Sequence, residues 1–354
     1  MKLWRDRGPL DPRLRGAVVA LGNFDGFHRG HQVVVGEAGR LARAMGTALA
    51  VLVTEPHPRA FFAPDAAPFR LTPFRDRLRL MEGFGVDLLA VLRFNARLAA
   101  TDHWAFVLRY LKQALQALHV VVGFDYRFGR GRGGSAATLA WQGGMEGFGV
   151  TVVPPVRFGI EGAAGEIYSS SLVRQALRDG RARRAAALLG HWWTVSGRVV
   201  GGDRRGREIG FPTANIRLAR DALRPRHGVY AVRVLLEDGA GPRRLLEGVA
   251  NFGLRPTFSG LVERLEVFLF DFAGDLYGRH VMVEFVGFVR PERKFDSVEA
   301  LKARIAADCE AARALLADPE NARDHLPMPT LERYLAEHPS PPVALVEHAG
   351  PLPA

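Results

Sequence analysis

At 354 residues, with 48% hydrophobic and 24% charged residues, the chain has the composition of a globular protein of about two domains, with no run near the roughly 20 apolar residues needed to span a bilayer. A single cysteine, Cys309, excludes an internal disulfide and a cysteine-rich metal site. The formal net charge of +11 is carried mostly by arginines spread over the whole length, without the aromatic-interleaved block of a single-strand binder, which favours polyphosphate ligands over nucleic acid.

The first sixteen residues lack an apolar core of signal-peptide length, so a cytoplasmic protein is expected, with neither membrane nor nucleic acid among its partners. Ala17–Leu21 is a short apolar run that predicts a buried parallel strand. The small-residue turn Gly22-Asn23-Phe24-Asp25-Gly26 follows, then His28-Arg29-Gly30-His31 and a helical pattern to Met45. A strand, a glycine-rich turn and a helix start form a natural phosphate site, because unpaired N–H groups point out of the helix N-terminus. The two histidines add side-chain donors there, and Gly30 lets a nucleotide approach the backbone. The alternative is a surface turn with incidental histidines.

Further strands are predicted at Ala48–Val53, Leu88–Leu92, Val120–Gly123 and Val150–Val153, with helices near Pro73–Phe84, Thr101–Leu118 and Ser135–Phe148. Such alternation predicts an α/β fold: a doubly wound, Rossmann-like parallel sheet with ligands at the carboxyl ends of its strands. Glu55-Pro-His57-Pro, Arg93-Phe-Asn95 and Gly123-Phe-Asp125-Tyr-Arg-Phe128-Gly129 each follow a strand and so share one rim. Arg130–Ser135 reads as a mobile basic loop. Ser169-Ser170-Ser171 suits a helix N-cap, with Arg174 one turn in, where a guanidinium can fork onto phosphate; a cap with a solvated arginine is the alternative.

From His191 the pattern changes to short alternating runs, which predict a small antiparallel barrel closed by one helix, Ser297 to Leu316. Gly197–Gly210 reads as a glycine-rich flap over a nucleotide, and Pro212-Thr213-Ala-Asn215 puts a hydroxyl and an amide oxygen on one face of an extended segment, suited to Mg²⁺. A proline-initiated turn with Asn215 capping is equally open. Glu266, between Leu265 and Val267, either faces solvent or accepts the proton of a substrate hydroxyl. Arg290–Phe295 precedes the last helix and is placed to help position a ligand. The tail after Asp318 is rich in Pro and Ala, and predicts little order beyond one short helix at Leu331–Glu337.

These motifs, in this order, resemble the bacterial bifunctional riboflavin kinase/FAD synthetase family over about residues 16–316. To the motifs above the resemblance adds Gly228-Val-Tyr-Ala231, Gly248-Val-Ala-Asn-Phe-Gly-Leu-Arg-Pro-Thr257 and Asp275-Leu-Tyr-Gly278. It implies an FMN adenylyltransferase domain at 1–187, a riboflavin kinase domain at 188–318 and a tail at 319–354, with ATP, riboflavin and FMN as ligands and Mg²⁺ as cofactor. It further implies that His28 and His31 act on ATP phosphates beside Gly22, Asn23, Phe24 and Gly30, and that Ser170, Ser171 and Arg174 hold the leaving pyrophosphate. Gly202, Gly206, Arg207, Thr213 and Asn215 bind the second ATP, Thr213 and Asn215 hold the metal, and Glu266 is the base. His57, Asp125, Phe128 and Arg293 fall to the flavin. Ser171, Thr54, Phe268 and Gly201 stand where Thr, Phe, His and His are usual in the family. Loss of one activity, or an RNA-binding protein on the same scaffold, are the alternatives.

Overall fold

The structure is a computed structural model that describes residues 1–158, 165–201, 209–236, 244–257, 260–341 and 346–348. Its contacts divide it into two compact units, Met1–Ala66 with Arg77–Ser169 and Met328–Ala354, and Ala67–Asp76 with Ser170–Pro327. Among the described residues no helix is long and apolar enough to cross a membrane.

The first unit is built on β1 (Lys2–Trp4), β2 (Val18–Leu21), β3 (Leu49–Glu55), β4 (Leu88–Arg93), β5 (His119–Gly123), the short pair β6 (Arg127–Phe128) and β7 (Gly134–Ser135), and β8 (Gly149–Val153). A second short pair, β9 (Arg157–Phe158) and β10 (Glu166–Ile167), follows. The main sheet runs β1-β4-β3-β2-β5-β8 with every pairing parallel. Its helices are α1 (Arg29–Ala44), α2 (Pro58–Phe62), α3 (Phe74–Phe84), α4 (Ala96–Ala100), α5 (His103–Phe106, continuing as a π-helical stretch over Val107–Ala114) and α6 (Ala136–Glu146). The central strands are apolar throughout because both faces are covered, as in α/β sheets generally. Order reverses at β2, which lies between β3 and β5, so the carboxyl ends of β2 and β5 flank the topological switch point, where such sheets bind ligands.

Two local readings differ from the sequence expectation. The pair β6–β7 fixes Arg130–Ser135, predicted to be mobile: Arg130 N–H donates to the Thr101 carbonyl at 2.7 Å, Ser135 caps α6, and a Cβ on Gly129 would lie 2.7 Å from the His103 nitrogen. Strand β1 escapes sequence reading because only Trp4 of its three residues is buried.

The second unit contains α7 (Ser170–Arg178), α8 (Ala182–Leu189) and a closed barrel, β11 (Thr194–Val200), β12 (Thr213–Leu218), β13 (Gly228–Leu236), β14 (Arg244–Thr257), β15 (Gly260–Leu269) and β16 (His280–Arg290), in the order β11-β12-β15-β14-β13-β16. Helix α9 (Val298–Ala317), capped by the Ser297 hydroxyl, packs Cys309, Ala312 and Leu316 on the barrel face that carries Val229, Ala231 and Val249. The segment Ala67–Asp76 clusters with this unit: Arg70 pairs with Asp221 at 3.3 Å, and Trp193 Nε1 donates to the Leu71 carbonyl at 3.0 Å.

The tail is more ordered than its composition predicts. Arg323 pairs with the buried Glu284 in the second unit at 2.9 Å. Helix α10 (Leu331–Glu337) coincides with the predicted helix and packs on α1 in the first unit. Strand β17 (Val346–His348) adds antiparallel to β8.

Candidate active sites

The turn after β2 is held under strain by burial. Phe24 and Phe27 take φ of +50° and +46°, a region that disfavours L side chains, yet they are only 2% and 0% exposed. The backbone cost of about 1–2 kcal/mol per residue is offset by burial of about 1.5–3 kcal/mol per large apolar side chain. Gly22 is required for another reason: a Cβ there would lie 2.9 Å from the Phe24 ring. Gly30 is likewise confined, its Cβ position 3.2 Å from His28 Nδ1 and 3.3 Å from Tyr168 Cβ.

His28 is the N-cap of α1, 5% exposed, and its Nδ1 accepts the His31 backbone N–H at 3.3 Å. An accepting Nδ1 puts the proton of the neutral ring on Nε2. The His28 and His31 rings stack with centroids 3.6 Å apart, and Phe24 meets His31 edge-on at 5.3 Å. Two imidazoles and the first N–H groups of a sixteen-residue helix therefore share one end at the switch point, an arrangement that suits an anion.

A residue that the sequence did not single out, Arg77, helps to brace this turn. Arg77 of α3 is fully buried; its Nη1 donates to the Asn23 carbonyl at 2.8 Å and its Nη2 pairs with Glu55 at 2.5 Å. Thr54 Oγ1 donates to Asn23 Oδ1 at 3.0 Å. An interior Arg gives no signal in a helical pattern, so nothing in the sequence marked Arg77.

His57 caps α2 through Nδ1 at the carboxyl end of β3, and Asp125 is exposed in the turn after β5. Phe128 is a core residue, 6% exposed and packed with Phe106 and Tyr126. Ser170, Ser171 and Arg174 lie on α7 in the second unit, whereas His28 and His31 belong to the first. Arg174 Nε donates to the Phe69 carbonyl at 2.8 Å and its guanidinium lies 5.5 Å from the Phe69 ring centroid.

In the barrel, Asn215 of β12, Glu266 of β15 and Asn251 of β14 stand directly opposite one another across three neighbouring strands. Thr213, two residues before Asn215, shares their face, so the segment is a strand and not the capped turn that the sequence left open. The alternate residues Leu265 and Val267 are 0% and 1% exposed on the opposite face. Asn215 is 9% exposed, and its Oδ1 accepts no hydrogen bond within the described structure. A buried amide oxygen without a donor costs about 1–3 kcal/mol unless a ligand meets it.

Glu266 is half-buried beside it. Asn251 Nδ2 donates to Glu292 Oε1 at 3.2 Å, and a Cβ on Gly253 would fall 1.9 Å from that same oxygen. Asn251 and Glu292 fall in the segments Gly248–Thr257 and Arg290–Phe295 that the sequence marked, but neither had a role of its own there; what singles out Asn251 is its position opposite Glu266, which needs the register to be seen. Arg293 is exposed and stacks over Phe295 at 4.8 Å. Phe268, cross-strand from Thr213, packs edge-on against Phe211 at 5.4 Å. Gly202, Gly206 and Arg207 lie outside the described residues.

Among the described residues no group of three or more His, Cys, Asp or Glu could hold a metal ion. Asn215 Oδ1 and the Thr213 hydroxyl are hard oxygen donors of the kind Mg²⁺ takes when phosphate oxygens and waters complete its shell, so these residues fit that ion.

The family model described as FAD synthetase matches residues 10–166, and that described as riboflavin kinase matches 189–316. A bifunctional riboflavin kinase/FMN adenylyltransferase of Escherichia coli K12 is 44% identical over 298 residues, 84% of this chain and 92% of that protein. One from Pseudomonas fluorescens is 41% identical over 318 residues, 90% of this chain and 98% of that protein. A solved structure described as a macrolide-efflux protein from Streptococcus pneumoniae is 34% identical, with a TM-score of 0.75, covering 88% of this chain and 98% of that one.

Proposed function

The chain belongs to the bifunctional riboflavin kinase/FMN adenylyltransferase family, and from that membership we propose how its residues divide two successive steps on one vitamin. The protein phosphorylates riboflavin with ATP to give FMN, and joins FMN to the AMP part of a second ATP to give FAD and pyrophosphate. We assign the second step to residues 1–187 and the first to 188–318, in the cytoplasm.

In the kinase step the ribityl 5′-hydroxyl oxygen attacks the γ-phosphorus of ATP, the bond to ADP breaks, and the hydroxyl proton passes to Glu266. One carboxylate suffices, because phosphoryl transfer asks mainly for alignment and charge neutralisation. Thr213 and Asn215 hold Mg²⁺ and nucleotide phosphate; when bound, the ion neutralises charge on the phosphate oxygens. Asn251 and Glu292 extend the polar row and fix its edge.

In the adenylyl step a phosphate oxygen of FMN attacks the α-phosphorus of ATP and pyrophosphate leaves. The nucleophile is already ionised, so no base is required. His28, His31 and the α1 N-terminus receive the triphosphate, and Ser171 and Arg174 keep the phosphate-binding role that the resemblance implies.

The observation that most supports the kinase assignment is the Asn215–Glu266–Asn251 row with its undonated amide oxygen. Separate assays test the division: FMN from riboflavin, and FAD from supplied FMN, each followed with and without Mg²⁺. Absence of either product from the wild-type chain would refute the corresponding assignment.

A further inference from the structure

Residues after 316 lie outside both family matches, yet the tail from Met328 clusters with the first unit. Helix α10 lies so close to α1 that a Cβ on Gly36 would fall 2.3 Å from the Tyr334 ring, and one on Gly39 would fall 2.5 Å from Leu331. Glycine inside a helix costs about 1 kcal/mol relative to alanine, so two of them weaken α1 by about 2 kcal/mol. Leu331 and Tyr334 are 5% and 6% exposed, and burying two such side chains returns about 1.5–3 kcal/mol each. The contact therefore more than offsets the glycines that permit it.

A polar network locks the same face. Glu37 of α1 is fully buried; its carboxylate accepts the Tyr334 hydroxyl at 2.7 Å and pairs with Arg40 at 3.1 Å. Burial, with the Glu37 carboxylate beside it, raises the Tyr334 phenol above its ordinary value and keeps it a donor. Arg40 in turn donates to the His338 carbonyl and to that of Pro339, and Arg43 pairs with Glu332 at 2.6 Å. A buried carboxylate is tolerated only with partners of this kind, and α10 supplies one of them.

We propose that α10 is an intramolecular strap that holds α1, and that Tyr334 is a positioning residue for adenylyl transfer, acting through Glu37 on the His28–His31 end of that helix. The inference rests on the adenylyltransferase reading of that end. Glu37 lies six residues beyond His31, about 9 Å along a helix axis. The strap grips the helix from Gly36 to Arg43, beyond the histidines, so it acts on how firmly their end is held.

The test uses the full-length chain with Leu331→Ala/Tyr334→Ala, with Arg40→Gln as a second route to the same loosening, and with Tyr334→Phe as the conservative variant. The strap predicts that the first two raise the KM for ATP in FAD formation about five- to tenfold, the size of a typical coupling between sites. They leave kcat within about twofold and leave riboflavin phosphorylation unchanged. Hydrogen exchange over residues 29–35 speeds up in the same variants, and Tyr334→Phe, which keeps the ring packing but removes the hydroxyl that Glu37 accepts, raises the KM for ATP in the same direction; an unchanged KM in Tyr334→Phe would overturn the route through Glu37. Faster exchange with an unaltered KM would make the strap purely structural and overturn the proposal. Equal loss of both activities, or no change in either readout, would overturn it too. A wild-type chain that makes no FAD from FMN refutes the reading beneath and the inference with it.

Discussion

Glu266 and Asn215 illustrate how much one residue's meaning depends on its cross-strand neighbour. Alone, each is a polar residue in an apolar run; in register they form a half-buried carboxylate beside an amide oxygen that lacks a donor. Glu266→Gln removes the proton acceptor and keeps the shape, so FMN formation is expected to fall about 10²–10⁴-fold, while FAD formation from supplied FMN stays within twofold. Loss of both together, measured by chromatography of the flavin products, would contradict the division of labour. The converse holds for His28→Ala with His31→Ala: removing a well-placed donor costs about 10²–10³ in rate, so FAD formation collapses and FMN formation continues. Thr54 adds a smaller effect. Thr54→Val breaks the bond to Asn23 Oδ1 and is expected to cost about 1 kcal/mol of stability by chemical denaturation.

At the scale of elements, two close approaches decide where functional segments run. The end of β14 passes so near Glu292 that Gly253 has no room for a Cβ. The obstructing atom is the far end of a flexible side chain, so Gly253→Ala should fold normally and displace the carboxylate from Asn251. FMN formation is then expected to drop by up to about 10²-fold without a matching fall in melting temperature, since small misplacements in an aligned site carry costs of that order. An unchanged rate would mean that Glu292 is not part of the site. The turn between β2 and α1 shows the same logic under strain: Phe24 and Phe27 keep their left-handed backbone because burial outweighs its cost. Strained residues beside a candidate ligand site are a common mark of function.

For the whole molecule, the two matches and the two candidate sites predict two ATP molecules bound per chain. Calorimetric titration reads this directly; a single site would not accommodate both steps. Cys309 offers a probe of the second unit's integrity. Burial, with Asp308 beside it, pushes its thiol up to about 11. The native state therefore binds the thiol proton more tightly than the unfolded chain does. The stability this lends is fully present below the ordinary thiol range and is lost as pH rises through about 11. At pH 8 a thiol reagent is expected to label the native chain slowly and the denatured chain at once. Rapid labelling of the native protein would place Cys309 outside the core that α9 forms with the barrel.

Strand–helix alternation, the shift to short alternating strands at His191 and the ordered motifs are local patterns, and periodicity alone carried the parallel sheet, the barrel and the α9 and α10 helices. The histidine pair was legible for the same reason, because a strand, a glycine turn and a helix start are adjacent in the chain. Arg77 under Asn23, Asn251 opposite Glu266, and Tyr334 on Glu37 were not, since each partner lies on a different element of the chain. The tail's order was hidden too, because its composition says nothing about the two glycines that receive it. Sequence settled the main sheet strands, the barrel and the longer helices, and the kinds of chemistry their residues suit. Only the tertiary structure decided which side chains meet, because register and close packing join residues that share no local pattern.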